Sequence, residues 1–152
     1  MRETISEGLK TALKARDQRR TATLRSINAA IKDRDIANRG DNKGPATNDE
    51  VLAIIQKMVK QREESFAIYA QAGRADLATV EKEEIDILNE LLPRPLSDEE
   101  VAAAIEAAVV SSGAEGPKDM GKVIAELKAK YPGRIDFGKV SGQVRNALAA
   151  KA

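Results

Sequence analysis

Glu81, Glu84 and Asp86 are the residues whose type and spacing come nearest to acid–base chemistry. Carboxylates this close together can share a proton or hold a divalent metal. The rest of the sequence gives such a site little help. There is no His and no Cys, which removes the common base at neutral pH, the thiolate nucleophile and the usual zinc ligands. No glycine-rich phosphate loop or oxygen-ligand loop stands out. A charge run on a solvated helix face is the commoner use of such residues. The chain is therefore expected to carry no catalytic residue, no cofactor and no metal of its own.

Cations offer a different chemistry. Lys118, Lys122, Lys128, Lys130, Arg134, Lys139 and Arg145 make the last third basic. Lys118 and Lys122 are i, i+4 neighbours and share a helix face. Cations on one face can neutralise phosphates, and such binding weakens steeply with salt. Aromatic residues make up only 3% of the chain and Trp is absent. That is too few for a base-stacking platform, so folded RNA recognised by shape and backbone fits better. Lys118, Lys122, Lys139 and Arg145 are the expected RNA contacts. The plainer alternative is a solvated surface. Arg16, Arg19, Arg20 and Arg25 form a second cluster of ambiguous role, in which Arg20 suits a carboxylate from the acidic middle of the chain.

The elements that must position these groups are helical. The chain has 152 residues, 42% hydrophobic and 32% charged, enough for one domain or two small ones. With few aromatics, its cores must be built from Ala, Leu, Ile and Val. The net charge of +1 hides a division. Residues 1–44 hold eleven Lys/Arg against six Asp/Glu, residues 45–100 six against thirteen, and residues 101–152 eight against five. The N-terminus shows no apolar signal core, and no run approaches the roughly 20 apolar residues of a membrane span. A cytoplasmic protein without membrane contact is the expectation.

Ile5, Leu9 and Leu13 predict a first helix over residues 2–15, and Leu24, Ile27 and Ile31 a second after Asp17. Residues 40–45 break it with Gly and Pro. Thr47 and Glu50 form a capping box for a long third helix over 48–72, carrying Val51, Ile55, Met58, Arg62 and Tyr69 on one side with Val59 and Phe66 beside them. Gly73 ends it, suited to positive φ. A fourth helix over 75–92 turns Leu77, Val80, Leu88 and Leu91 inward and Glu81, Glu83, Glu84 and Glu90 largely outward. The two long helices should form an antiparallel hairpin, with Arg62 paired to Glu81 or Glu84 to fix its register. Pro93 and Pro95 mark a boundary. Ser97 and Glu100 cap a fifth helix, Pro117 opens the next, and Asp136 caps the last. Gly121 is expected mid-helix, at a cost of about 1 kcal/mol against Ala that close approach of a neighbouring helix would offset. Gly138 and Gly142 invite the same reading. The prediction is an all-α protein: a helical domain over 1–92 with a long antiparallel hairpin, a Pro-rich linker over 93–96, and a small three-helix tail domain over 97–152.

Gln61-Arg62, Glu64-Ser65, Tyr69, Ala72-Gly73-Arg74, Asp76-Leu77-Ala78, Glu81, Glu84 and Leu92-Pro93 together resemble the signature of the YqeY-like family. Residues 118–123 and 140–144 resemble its tail. Ile124 stands where Met is common, and Ser141-Gly142 where Val or Leu followed by Asn is frequent. The family is similar to the C-terminal helical and tail regions of the glutamyl/aspartyl-tRNA amidotransferase B subunit, whose tail engages tRNA. The resemblance implies a carbon–nitrogen ligase label with glutamine as amido donor, while the chemistry sits in domains that this chain lacks. It implies tRNA, or a tRNA-modifying or aminoacylation enzyme, as partner. The leading expectation is a tRNA-binding accessory protein without activity of its own. The alternatives are a helical protein-interaction adaptor and a subunit completing an amidotransferase.

Overall fold

The computed structural model describes residues 1–151. Seven α-helices and one 3₁₀ turn follow one another, and no strand occurs among the described residues. The chain is all-α. Its contacts cluster into two compact units, Met1–Leu92 and Pro93–Ala152.

In the first unit, α1 (Arg2–Ala15) ends at Arg16, which takes the left-handed conformation at φ 58°. The Asp17 carboxylate then accepts from Arg20 N–H at 3.0 Å and starts α2 (Gln18–Gly40). Asp35 of α2 clamps both the chain start and the following loop. It accepts two hydrogen bonds from the Arg2 guanidinium, at 3.0 and 2.7 Å, and one from Ala46 N–H at 2.8 Å. These donors, Arg2 first, hold its carboxyl down at about 2.

The Thr47–Glu50 capping box is formed and opens α3 (Asn48–Gln71). Beyond α3, Gly73 adopts φ +71°, where a Cβ would strain the backbone, and the chain reverses into α4 (Ala75–Leu91). Ile5, Ile27, Val51, Ile55 and Leu88 are fully buried in the core these helices share.

Two apolar side chains depart from the expected stripes. Leu13 is 47% exposed, because Ala12, at 2%, occupies the buried position instead. Phe66 is 38% exposed. Between Val59 and Ile85 the one buried residue is Ala78, and it stands outside the main cluster of this core, so the tip of the α3–α4 hairpin adds little to that cluster. At the edge of that cluster the register is also held by charge. Arg62 Nε donates to Glu84 Oε2 at 2.6 Å, with both side chains less than one-fifth exposed. Glu84, expected outward, is thus half-buried.

In the second unit, residues 93–96 are hydrogen-bonded to the tail. Leu96 N–H donates to the Arg134 carbonyl at 3.0 Å, and Arg134 Nε to the Arg94 carbonyl at 2.9 Å. Arg94 also grips Glu100 through two bonds of 3.1 and 3.2 Å. Glu100 closes the capping box with Ser97 at the start of α5 (Asp98–Ser112), and Arg94 and then Ser97 N–H hold its carboxyl at about 2. The 3₁₀ turn Pro117–Asp119 leads into α6 (Met120–Lys130), and α7 (Phe137–Lys151) closes the unit. Asp136 accepts from Gly138 N–H at 3.0 Å at the start of α7. Val123, Leu127, Val144 and Leu148 are almost fully buried, supported by Ala104, Ala108 and Ala114.

Asp35 and Glu100 have folded pKa values of about 2 against ordinary values of 3.8 and 4.5. Their stabilisation is therefore complete above the ordinary values and is lost as pH falls toward 2. Thermal melts between neutral pH and acid should show Asp35→Asn and Glu100→Gln each flattening that loss. A wild-type pH profile in both variants would refute the assignment. Arg62→Ala should cost about 1–2 kcal/mol, and a double-mutant cycle with Glu84→Ala should show coupling between the two residues.

Candidate nucleic-acid interface

The four tail cations are all exposed, but they are not equivalent. Lys118 lies in the 3₁₀ turn and Lys122 in the first turn of α6, on either side of Asp119. Lys122 Nζ stands 3.7 Å from Asp119 Oδ1. The other oxygen of that carboxylate accepts from Glu115 N–H at 2.9 Å. This backbone bond, followed by the charges of Lys122 and Lys118, holds the Asp119 carboxyl below the ordinary aspartate range. Asp119 therefore holds Lys122 and tempers the charge of both lysines. Its role was missed in the sequence, although its spacing of three from Lys122 is a recognisable ion-pair signal.

Lys139 and Arg145 stand on α7. Six residues apart at about 100° per residue, they point roughly 120° away from each other. No ion pair joins Lys118, Lys139 or Arg145 to another described residue. Other tail cations have structural duties. Lys128 lies 5.5 Å from the centre of the Phe137 ring, and Arg134 holds the Arg94 carbonyl. The tail thus offers a paired-lysine corner and two separate cations on α7, not a single helix stripe.

The N-terminal cluster divides as well. Arg19 Nε donates to Glu83 at 3.1 Å and its Nη1 stands 3.8 Å from Glu84. Arg20 grips Glu90 through bonds of 2.6 and 3.2 Å, which hold that carboxyl below its ordinary value. The carboxylates considered for acid–base work are likewise engaged: Glu84 by Arg62, and Asp86 by Lys82 at 3.1 Å. Among the described residues, no group of three or more acidic side chains is arranged to hold a metal ion.

Gly121 does not play the part expected of it. The helix begins at Met120, so Gly121 sits in the first turn rather than mid-helix, and a Cβ there would meet nothing within 4 Å. Gly142 also faces open space. No neighbouring helix approaches either glycine closely enough to require the missing side chain.

Residues 2–148 match the family described as Yqey-like protein. The chain belongs to this family. Among curated relatives, it is 30% identical over 149 residues to "Altered inheritance of mitochondria protein 41, mitochondrial" of Eremothecium gossypii, covering 96% of this chain and 79% of that protein. The protein of the same name from Clavispora lusitaniae is 38% identical over 96 residues, 61% of this chain and 53% of that one. The one from Kluyveromyces lactis is 28% identical over 156 residues, 96% and 75% respectively.

These names overturn the cytoplasmic expectation, since each relative is called mitochondrial. Lack of Cys does not separate cytosol from mitochondrion. Nor does lack of an apolar signal core, because mitochondrial leaders are amphipathic and Arg-rich instead. No helix among the described residues is long and apolar enough to cross a membrane.

The glycine geometries predict opposite outcomes for one substitution. Gly121→Ala should stabilise the chain by about 0.5–1 kcal/mol, by favouring helix with no clash. Gly73→Ala should destabilise it by about 1 kcal/mol or more, because φ stays positive. Denaturant melts of the two variants check both signs.

Proposed function

We propose that this chain binds folded tRNA and acts as an accessory to tRNA-handling enzymes rather than as a catalyst. The observation that carries this reading is the exposure of Lys118, Lys122, Lys139 and Arg145, three of them without an ion-pair partner among the described residues. Unpaired cations gain most from phosphate, because no internal ion pair has to be broken. The resemblance of the tail to that of a tRNA amidotransferase subunit supports the same class of partner. The carbon–nitrogen ligase label belongs, on this reading, to the assembly that such a tail serves. Amide transfer would need an active site from other chains.

An adaptor function has its own support. Ile68 is 65% exposed and Phe66 38% at the end of the α3–α4 hairpin. Beside Phe66 lies an open notch of about 440 Å³, lined by Ala70, Ala75, Ala78 and Thr79 among others. Bulky apolar groups beside a concavity are the usual anchors of a protein contact.

Titration of the full chain against folded tRNA at several salt concentrations separates the two. Binding should weaken steeply with salt, and Lys118→Ala/Lys122→Ala should reduce the log–log slope by about 1.5. Absence of binding at low salt would refute the RNA reading and leave the adaptor.

A further inference from the structure

Cations on α2 sort by the side of the helix they occupy. Arg19, Arg20 and Arg34 each reach a carboxylate: Glu83 and Glu84, Glu90, and Glu50 at 3.5 Å. Arg25, Lys32 and Arg39 form no ion pair with any described residue. These three recur every seven residues. With Ala29 and Ile36 between them, they fall within an arc of about 80° at about 100° per residue. All five residues are exposed, and Leu24, Ile27 and Ile31 are buried elsewhere on the same helix. The cations are spaced about 10 Å apart along the axis and span roughly 21 Å.

Carboxylates do little to cancel this stripe. Asp35 is engaged by Arg2 and Ala46 N–H, and Arg39, four residues on, adds only a weaker charge effect to it. Asp33 stands about 80° around the helix from Arg25. Arg39 lies in the last turn, where a cation complements the helix dipole, but that does not account for Arg25 or Lys32, which lie further inside.

We infer that this face of α2 is a second contact surface for the sugar–phosphate backbone of folded RNA. The inference rests on the RNA-binding function proposed above and adds a surface in the N-terminal unit, separate from the tail. Regularly spaced cations with small or single apolar residues between them match a partner of repeating negative charge. A protein partner would call for a central aromatic or Arg anchor in a desolvated pocket; the stripe has no aromatic residue, and Arg25 and Arg39 are exposed. A membrane would call for a bulky apolar face beside the charges, but Ile36 is the one large apolar residue here.

The test uses the full chain carrying Arg25→Ala/Lys32→Ala/Arg39→Ala, all at exposed helical positions where Ala supports the helix. Circular dichroism confirms that the fold is kept. Bulk folded tRNA and vesicles containing phosphatidylserine are the probes. We expect tRNA binding to weaken about tenfold or more at moderate salt, and the log–log salt slope to fall by about 2–3. Arg25→Lys/Arg39→Lys should retain binding. Wild-type affinity and slope in the triple variant would overturn the inference. If Lys118→Ala/Lys122→Ala still lowered the slope in that case, the tail would remain the RNA contact. No tRNA binding by the wild type would overturn both. Loss of vesicle binding with tRNA binding unchanged would assign the face to an anionic membrane and also overturn the inference.

Discussion

Glu84 joins three helices. Its carboxylate accepts Arg62 Nε of α3 at 2.6 Å and stands 3.8 Å from Arg19 Nη1 of α2, while its own backbone belongs to α4. A half-buried carboxylate without these partners would carry an uncompensated desolvation cost. Two cations at fixed positions make its placement specific. Sliding α4 by one turn would separate Glu84 from Arg62, and Glu83 and Glu90 from Arg19 and Arg20. The apolar core, with Ala78 its one small buried residue between Val59 and Ile85, does little to fix register toward the tip of the hairpin. Ion pairs from α2 and α3 to Glu83, Glu84 and Glu90 add specificity to the packing where the hairpin meets α2.

The acidic middle of the sequence gains a physical role from this arrangement. Of its thirteen Asp/Glu over residues 45–100, seven are ion-paired. Glu50, Glu83, Glu84 and Glu90 meet arginines of α2 or α3, and Glu100 meets Arg94. Each such pair removes a cation from the set that an external polyanion could use. What remains outward is set by helix phase. Arg20 and Arg34 point toward α4 and α3, while Arg25, Lys32 and Arg39 do not. Net charge is therefore a poor guide to binding in this chain, and the pairing map is a better one.

Much of the helical plan could be read from local chemistry. The pairs Thr47–Glu50 and Ser97–Glu100 announce helix starts, because a hydroxyl and a carboxylate three residues apart satisfy two orphan amides reciprocally. Gly73 announces a helix end, because its φ of +71° favours a residue without Cβ. The misreadings came where a neighbour, rather than the local sequence, decides. Leu13 satisfies the apolar spacing, yet it is Ala12 that is buried. Gly121 reads as a packing residue only if its helix began earlier, and the 3₁₀ turn before Met120 shifts that start. For the tail lysines, exposure was readable and mutual placement was not. Periodicity relates Lys139 to Arg145 within α7 but relates neither to Lys118, which lies in another element.

Low aromatic content shapes both the cores and the available recognition chemistry. Ala104, Ala108 and Ala114 fill positions in the second core that larger side chains would otherwise occupy, so stability there depends on close backbone approach. One of the four Phe and Tyr residues, Phe137, is held under Lys128. Without stacking surfaces, recognition of RNA would fall to backbone contacts that are individually weak, salt-sensitive and indifferent to base identity. Selectivity for a particular RNA must then come from shape, through cations that meet phosphates only where the folded backbone presents them at matching intervals. Such a protein gains more from several rigidly placed cations than from many mobile ones, because ordering long side chains on binding costs entropy. The helices supply that rigidity, and the internal ion pairs decide which cations are left to use it.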